Sequence, residues 1–212
     1  MKKLAILGAS GHGKVVADAA LMSGWDEVLF YDDAWPEISQ LGPWKVVGNT
    51  SELLEHKERF DGAVVAIGNN VQRLEKLHTL EEAEIKLVTI IHPSAVISSF
   101  AEIGFATVVV AGAIVNPFAK IGHGCIINTG STIDHDCVLA DGVHVSPGVY
   151  LGGNVNVGRA SWIGIGSCVR HSLTIGTNVI VGAGAAVINN IESYLIVTGV
   201  PACKMSSQKK CP

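Results

Sequence analysis

One histidine in this sequence has neighbours that suit acid–base chemistry. His135 lies between Asp134 and Asp136, and Asn128 lies in the preceding group of six residues. A carboxylate that touches an imidazole raises its basicity and fixes which ring nitrogen carries the proton. These residues favour a general base at His135. Flanking acids also arise by chance, so a catalytic and a structural interpretation both stand on the local sequence.

Most of the other histidines carry no such pattern. His56 and His78 fall in polar segments with helical patterning, which predicts solvated side chains. His92, His123 and His171 fall at the corners of the repeat described below, where structural or exposed histidines are expected.

Two glycine-containing turns near the start of the chain could bind a phosphate. The first, Gly8-Ala9-Ser10-Gly11-His12-Gly13, runs from a predicted strand into a predicted helix, so backbone N–H groups can face an anion. Its GxxGxG spacing differs from the GxGxxG of dinucleotide-binding folds. The second, Gly68-Asn69-Asn70, follows the third predicted strand, at the sheet edge where parallel sheets bind ligands.

An acidic pair supports the same interpretation. Asp32 and Asp33 follow the second predicted strand, where a ribose-binding carboxylate lies in such folds. The turns and the acids together predict a bound nucleotide without indicating NAD. The alternative is a structural glycine turn with solvated acids.

A repeat of six residues must position His135. Ile, Leu or Val occupies all 17 positions that are six residues apart from Ile91 to Val187. The residue four places later is usually small or β-branched, and the residue directly after is often glycine or small and polar, types that tolerate the positive φ of a tight corner. These features predict a hexapeptide β-helix in which three hexads form one coil and residues 18 apart stack.

The segment before Ile91 has a different pattern. Short apolar runs alternate with helical patterning, which is typical of a parallel α/β sheet. The predicted strands cover 4–7, 28–31, 63–67 and 86–90, and the predicted helices follow Gly13, Ser51 and Asn70. The expected fold is therefore an α/β, Rossmann-like domain over residues 1–88, followed by a left-handed parallel β-helix over residues 89–212.

Composition excludes several classes of protein. No apolar stretch approaches the roughly 20 residues of a membrane-spanning helix, and the first apolar run is too short for a signal peptide, so we expect a cytoplasmic protein. A net charge of -4 gives no broad attraction to nucleic acid. The one basic cluster is Lys204, Lys209 and Lys210. Five cysteines without a CxxC pair favour reduced, mostly buried thiols over disulfides or a zinc site.

The chain resembles the hexapeptide-repeat bacterial sugar acetyltransferases of the bacillosamine type, which act on UDP-linked 4-amino sugars, and their relatives that O-acetylate sialic acid. The resemblance covers nearly the whole chain. It rests on the GASGHG turn, the acidic pair and the residues around His135, together with the segments at 67–70, 128–129, 144–146 and 199–202.

The resemblance implies an acetyl-CoA-dependent N-acetyltransferase that works as a homotrimer, with sites between subunits and no metal. It implies that His135 is the general base and that Asp136, usually Glu in the family, increases its basicity. It assigns acetyl-CoA contacts to His144, Ile165 and Ala183. It assigns contacts with the sugar nucleotide to the following residues: Ser10, Gly11, His12, Asp32, Asp33, Gly68 and Asn128. Where relatives end in GVPAK, this chain has Cys203 before Lys204.

Three alternatives remain at this point. The same base could activate a hydroxyl of sialic acid. A γ-class carbonic anhydrase would need three histidines at one metal, but His123, His135 and His144 are 12 and 9 residues apart, and nine is not a whole number of hexads. A non-catalytic scaffold that binds a sugar nucleotide would not depend on His135.

Overall fold

The computed structural model describes residues 1–205. Its first part alternates strands and helices. In chain order these are β1 (Lys3–Leu7), α1 (Gly11–Met22), β2 (Glu27–Tyr31), β3 (Gln40–Leu41), β4 (Trp44–Lys45), α2 (Thr50–Glu55), a 3₁₀ helix (Lys57–Arg59), β5 (Gly62–Val65) and α3 (Asn70–Glu82). None of the helices within residues 1–205 is long and apolar enough to cross a bilayer.

The first part is built on a parallel sheet with the strand order β2-β1-β5. Successive side chains of β1 point to opposite faces. Leu4 and Ile6 pack with residues of α1, whereas Ala5 and Leu7 pack with residues of α2 and α3. Helices therefore cover both faces of the sheet, which explains why β1 is a continuous apolar run. β3 and β4 form a separate antiparallel pair.

The fourth predicted strand, 86–90, is only partly present, because its first residues alone pair with β5. Leu87 makes a single parallel bridge to Ala63. Two residues later the chain has already left the sheet, because the N–H of Ile90 donates to the carbonyl of Thr107 in the β-helix. The apolar run is real, but its last part belongs to the first coil rather than to the sheet.

The second part is a parallel β-helix with three faces, as predicted. Face 1 contains β6 (Ile90–Ile91), β9 (Val108–Val109), β12 (Ile126–Ile127), β15 (His144–Val145), β18 (Trp162–Ile163), β21 (Ile180–Val181), β23 (Ile196–Thr198) and β24 (Cys203–Lys204). Face 2 contains β7 (Val96–Ile97), β10 (Ile114–Val115), β13 (Thr132–Ile133), β16 (Tyr150–Leu151), β19 (Cys168–Val169) and β22 (Ala186–Val187). Face 3 contains β8 (Glu102–Ile103), β11 (Lys120–Ile121), β14 (Val138–Leu139), β17 (Asn156–Val157) and β20 (Thr174–Ile175).

Residues 18 apart are paired along each face, as Ile126 with His144 and His144 with Trp162, except that β21 pairs with β23 at an offset of 16 residues. The chain passes from face 1 to face 2, from face 2 to face 3 and back to face 1. We call the three turns the 1–2, 2–3 and 3–1 corners. The predicted column of aliphatic residues fills the interior from Val109 to Val187. Ile91 is an exception and is 38% exposed, because no coil precedes it.

The small residues that follow each aliphatic do not have the predicted role. None of them has positive φ. The left-handed residues lie two positions later, as Gly124, Gly142 and Ala160 do. A Cβ at Gly158 would lie 2.5 Å from the backbone carbon of Gly176 in the next coil, and a Cβ at the other glycines of this position would lie 2.5 to 2.8 Å from the next coil. The side chain is excluded by the stacking of coils, not by the conformation of the corner.

The cysteines are less uniformly buried than expected. Cys125 and Cys137 are buried and free, whereas Cys168 and Cys203 are free but exposed. Cys211 and the lysines at 209 and 210 lie outside the described residues.

Candidate active site

His135 lies at the 2–3 corner, in the turn between β13 and β14. Its Nδ1 donates a hydrogen bond of 2.8 Å to the carboxylate of Asp136. The carboxylate of Asp134 accepts instead from the backbone N–H of His135 and, at 2.9 Å, from Asn116. The hydrogen bond with Asp136 and, secondarily, the charge of Asp134 hold the pKa of His135 above its ordinary value.

Two backbone features position this imidazole. Asp136 has a φ of +59°, in the left-handed region that Asp tolerates better than most residues. One coil further on, Gly153 lies under the ring, and a Cβ there would be 2.5 Å from both Cε1 and Nε2 of His135. The imidazole is otherwise exposed, since more than half of the side-chain surface is accessible.

A largely apolar groove of about 440 Å³ follows face 1 and the 1–2 corner. We call it the β-helix groove. Its lining includes Asn128, His144, Trp162, Ile165, Ile180 and Ala183. The three residues expected to contact acetyl-CoA are therefore brought together, and Asn128 lies beside them. His135 is at a different corner and lies outside this groove.

His144 is the polar centre of the β-helix groove. Its ring stacks on Trp162 with centroids 5.1 Å apart and planes 8° apart, and the indole N–H of Trp162 donates to Ser146 at 2.8 Å. The ring of His12, from the first turn of α1, is 6.4 Å away. Burial, with a smaller contribution from the charge of Arg73, lowers the pKa of His144 to about 3 and that of His12 to about 4.

Both of these histidines are therefore neutral near pH 7. Within residues 1–205, Nε2 of His12 and Nδ1 of His144 have no hydrogen-bond partner. The two rings connect the N-terminal helix α1 to the β-helix groove.

A second cavity, of about 480 Å³, opens at the carboxyl ends of the parallel strands. We call it the sheet-edge pocket. Its lining includes Gly8, Ser10, Asp32, Asp33, Gly68 and Lys76. β1 lies between the parallel strands β2 and β5, so the strand order switches from one side of β1 to the other, and open parallel sheets bind ligands at such a switch point. The two glycine turns and the acidic pair converge here.

The two acids of this pocket differ in their partners. Asp32 accepts hydrogen bonds from the backbone N–H of Ala9 at 2.6 Å and of Ala34 at 3.0 Å. It therefore holds the first glycine turn in place. Asp33 pairs with the ammonium of Lys76 at 2.6 Å and accepts hydrogen bonds from the backbone N–H and the hydroxyl of Thr50. Partial burial acts to raise the pKa of Asp33, but the bonds from Lys76 and Thr50 outweigh it and lower the pKa.

The predicted sugar-nucleotide residues do not all share one cavity. Ser10, Asp32, Asp33 and Gly68 line the sheet-edge pocket, whereas Asn128 lines the β-helix groove. Gly11 lies in the first turn of α1, whose N-cap Ser10 makes no side-chain capping bond. His12 is in the lining of neither cavity, and its ring lies 6.4 Å from that of His144, which lines the β-helix groove.

Sequence reasoning missed two residues of this region. Lys76 lies on α3, where a lysine is expected to be solvated, and no local pattern indicated that it pairs with Asp33. Trp162 occupies an outward-facing strand position, and only its spacing of 18 residues from His144 could have indicated the stack.

Within residues 1–205, no group of three or more His, Cys, Asp or Glu side chains is arranged to hold a metal ion. The three histidines of the carbonic anhydrase alternative lie apart. His123 is at the 3–1 corner, His135 at the 2–3 corner and His144 on face 1.

Comparison with known proteins agrees with this architecture. Residues 3–80 match the family model of the PglD N-terminal domain. The acetyltransferase domain of PglB from Neisseria gonorrhoeae, solved with acetyl coenzyme A, is 40% identical, with a TM-score of 0.92 over 96% of this chain and 99% of that chain. A histidine variant of perosamine N-acetyltransferase from Caulobacter crescentus, solved with CoA and GDP-perosamine, is 32% identical, with a TM-score of 0.93 over 98% of both chains.

A curated serine acetyltransferase from Staphylococcus xylosus is 34% identical over 73 residues, which are 31% of this chain and about a third of that protein. This shorter match indicates a shared type of acyltransferase fold. The two solved structures match over nearly their whole length, and their left-handed β-helix preceded by a short parallel sheet confirms the predicted fold class. The chain therefore belongs to the hexapeptide-repeat sugar N-acetyltransferases, enzymes that use acetyl-CoA as the acyl donor.

Proposed function

We propose that this enzyme transfers the acetyl group of acetyl-CoA to the 4-amino group of a UDP-linked amino-dideoxy sugar, with His135 as the general base. The pairing of His135 with Asp136 carries the proposal, because it provides a basic imidazole of fixed tautomer on an accessible corner. The resemblance of the glycine turn and acidic pair to UDP-4-amino-sugar enzymes supports the choice of nucleotide.

In the proposed reaction the neutral amine attacks the thioester carbonyl, a C–N bond forms and the C–S bond breaks. Nε2 of His135 takes the proton that the nitrogen loses and then passes it to the departing CoA thiolate, which returns the imidazole to its neutral form. Nδ1 is engaged by Asp136, so Nε2 is the acceptor in the neutral ring. A positioned base of this kind contributes roughly 10²- to 10⁴-fold in rate.

The β-helix groove is proposed to hold acetyl-CoA, with His144, Ile165 and Ala183 in contact. Its apolar lining suits the pantetheine arm, and neutral His144 offers a hydrogen-bonding group inside it. The stack with Trp162 fixes the plane of that imidazole.

The sheet-edge pocket is proposed to hold the nucleotide. Ser10, Gly11 and His12 begin α1, whose first N–H groups suit a diphosphate. Gly68 and Asp33 also line this pocket, and the ammonium of Lys76 provides a cation for the anionic ligand. We assign Asp32 mainly to supporting the turn, and Asn128 to the sugar as it approaches the groove.

The positions of the corners support a homotrimer with sites between subunits. In one chain, face 2 separates the 1–2 corner, which carries the β-helix groove, from the 2–3 corner, which carries His135. Copies that pack through face 2 around a threefold axis can bring the groove of one subunit to His135 of the next. Face 2 exposes apolar side chains at Val96 and Tyr150, which suits such packing.

The acceptor is tested by incubating the enzyme and acetyl-CoA with a UDP-linked 4-amino sugar, a GDP-linked 4-amino sugar or free sialic acid. Release of the CoA thiol and addition of one acetyl group are followed by a thiol reagent and mass spectrometry. We expect turnover of the UDP sugar and loss of activity by roughly 10²-fold or more in His135→Ala. His171→Ala is the matched control, because His171 is exposed two coils further along the same corner but is followed by Ser172. Acetylation of sialic acid alone, or full activity of His135→Ala, would contradict the proposal.

The shared site is tested by complementation. His135→Ala removes the proposed base, and Ala183→Trp fills the groove. Each variant alone is expected to be inactive, whereas their co-expression restores activity at interfaces that combine an intact groove with an intact base. No recovery in mixed oligomers would indicate sites within single subunits.

A further inference from the structure

Helix α3 packs directly on the β-helix. α3 runs along the 3–1 corner and contacts the left-handed residues of three successive coils. Arg73 binds the carbonyls of Gly124 and Gly142, and Asn70 binds the carbonyl of Ala160 at 2.9 Å. The three carbonyls are equivalent positions, 18 residues apart.

Arg73 is the centre of this contact. Its side chain is only 1% exposed, and it donates five hydrogen bonds. Two reach Gly124 and Gly142 at 2.7 and 2.8 Å, and two reach the carbonyls of Ile67 and Gly68 at 2.9 and 3.2 Å. The fifth goes to Asn70. None goes to a carboxylate, so the guanidinium is used as a fork that joins backbone segments rather than as half of an ion pair.

The same corners lack side chains where α3 approaches. A Cβ at Gly142 would lie 2.5 Å from Cδ1 of Leu74, and a Cβ at Gly124 would overlap Cδ1 of Leu77. The backbone of these corners therefore packs directly against the side chains of α3. It leaves little freedom for α3 to slide or tilt.

The spacing along α3 matches the spacing of the coils. An α-helix advances about 5.4 Å per turn, and neighbouring strands in a sheet lie about 4.8 Å apart. Residues three or four apart on α3 therefore meet successive coils. Leu77, Leu74 and Asn70 meet Gly124, Gly142 and Ala160 in that order.

The opposite side of α3 belongs to the sheet-edge pocket. Gln72, Glu75 and Lys76 line this pocket, as do Ile67 and Gly68, whose carbonyls Arg73 holds. One helix thus contacts the β-helix on one side and the pocket on the other.

We infer that α3 fixes the distance and orientation between the sheet-edge pocket and the β-helix groove, and that Arg73 is its positioning residue. The inference rests on the proposed function, in which a sugar held by its nucleotide must present its amine to a thioester held in the groove. Arg73 touches neither ligand in this arrangement. It acts by holding the sheet-edge pocket and the β-helix groove at a fixed distance and orientation.

The test uses variants that disturb the seat of α3 without altering residues assigned to ligand contacts. Gly142→Ala pushes on Leu74, and Arg73→Lys keeps the charge but not the planar fork. Gly112→Ala is the matched control, because Gly112 has nearly the same φ as Gly142 (+69° against +67°) but its Cβ would make only ordinary contacts. Crystal structures of the variants report the position of α3. Calorimetry gives the affinities for UDP alone and for CoA alone, and kinetics give kcat and KM for the nucleotide-linked amino sugar.

We expect α3 to be displaced in Gly142→Ala and Arg73→Lys, kcat to fall by about 10²-fold as for other misalignments of about 1 Å, and both separate affinities to be retained. Gly112→Ala is expected to behave as wild type. An unchanged kcat with a displaced α3, or a loss of UDP affinity as large as the loss of kcat, would overturn the inference. A wild-type enzyme that acetylated no nucleotide-linked sugar would contradict the proposed function. The inference would then stand or fall on the displacement of α3 and on the kcat for the acceptor that the enzyme does use.

Discussion

The carboxylate of Asp136 accepts a hydrogen bond from Nδ1 of His135, its own chain neighbour, at 2.8 Å. Adjacent residues rarely meet in this way in a strand, because their side chains point to opposite faces. Here the left-handed backbone of Asp136 turns the chain at the corner. The hydrogen bond is formed within one turn, and the next coil contributes only the space that Gly153 leaves for the imidazole.

Replacing Asp136 by Asn is expected to change the pH profile. His135 must be neutral to accept a proton, and Asp136 is the main cause of its raised pKa. The acid limb of kcat/KM should therefore move to lower pH in Asp136→Asn, while the plateau falls about tenfold or more because the base is weaker. Asp136→Glu, which restores the residue usual in the family, is the control. An acid limb that stays in place in Asp136→Asn would exclude Asp136 as the partner of the base.

Adding a methyl group at Gly153 is expected to displace the base. The new Cβ of Gly153→Ala would overlap the imidazole of His135, which can swing away because it is exposed. We expect kcat to fall by about 10-fold to 10²-fold, with little change in the melting temperature. The double variant with His135→Ala checks the cause. In that background Gly153→Ala should have no further effect, and an additive loss would point to a role unrelated to His135.

Trp162 should report the binding of acetyl-CoA. It is one of four tryptophans, and the other three pack in or beside the N-terminal core, whereas Trp162 lines the β-helix groove. Acetyl-CoA is expected to quench the fluorescence of the wild type but not that of Trp162→Phe. Because Trp162→Phe loses the hydrogen bond to Ser146, its KM for acetyl-CoA should rise several-fold, while the KM for the sugar is retained. The same quenching in Trp162→Phe would place the donor elsewhere.

Lys76 is expected to contribute to nucleotide affinity. Its ammonium lies in the sheet-edge pocket, held by Asp33 and by Thr50 at 3.1 Å. Lys76→Met should weaken UDP binding by about tenfold, as expected for loss of one charge-assisted contact, and reduce the salt dependence of binding. Lys120→Met is the control, because Lys120 pairs with Glu102 on face 3, away from both cavities. Equal affinities for UDP in the two variants would contradict this role.

The two buried histidines predict that the protein loses stability in acid. Their pKa values in the folded state, about 4 for His12 and about 3 for His144, lie below the ordinary value of 6.5. As the pH falls below 6.5, the unfolded chain binds these protons first, so the stability present above that pH is lost. At pH 5 the loss is about 2 kcal/mol for one such histidine. Urea unfolding at pH 7 and pH 5 measures it, and His144→Asn should reduce the difference; an equal difference would contradict the buried, neutral state.

The sequence predicted those parts of the molecule whose cause is local or periodic. The column from Ile91 to Val187 repeats without a gap, so the β-helix was readable from spacing alone. The run 86–90 was misread because one apolar stretch serves the end of the sheet unit and the start of the first coil. The small residue after each aliphatic was attributed to a left-handed corner, but its cause is the tight stacking of coils. Both causes favour glycine, so the sequence alone does not distinguish them.

The candidate site was predictable where the interacting residues are neighbours in the sequence, as His135 and Asp136 are. It was not predictable where partners come from distant coils. Arg73 binds mainly backbone carbonyls, which every residue has, so no complementary side chain in the sequence indicated its role. Lys76 lies on a helix and Trp162 on a strand, each at a position where the side chain is expected to face solvent.

The agreement between the helical pitch of α3 and the spacing of the coils limits how the gene can change in length. Eighteen residues inserted beyond Val187 would add a coil at the free end and leave every contact of α3 intact. The same insertion between Gly124 and Gly142 would place an inserted corner residue opposite Leu74, and a side chain there would overlap Leu74 and displace α3. Natural variation in repeat number should therefore accumulate on the C-terminal side of Ala160, and grafting a different front domain would require carrying α3 together with the three coils on which it is seated.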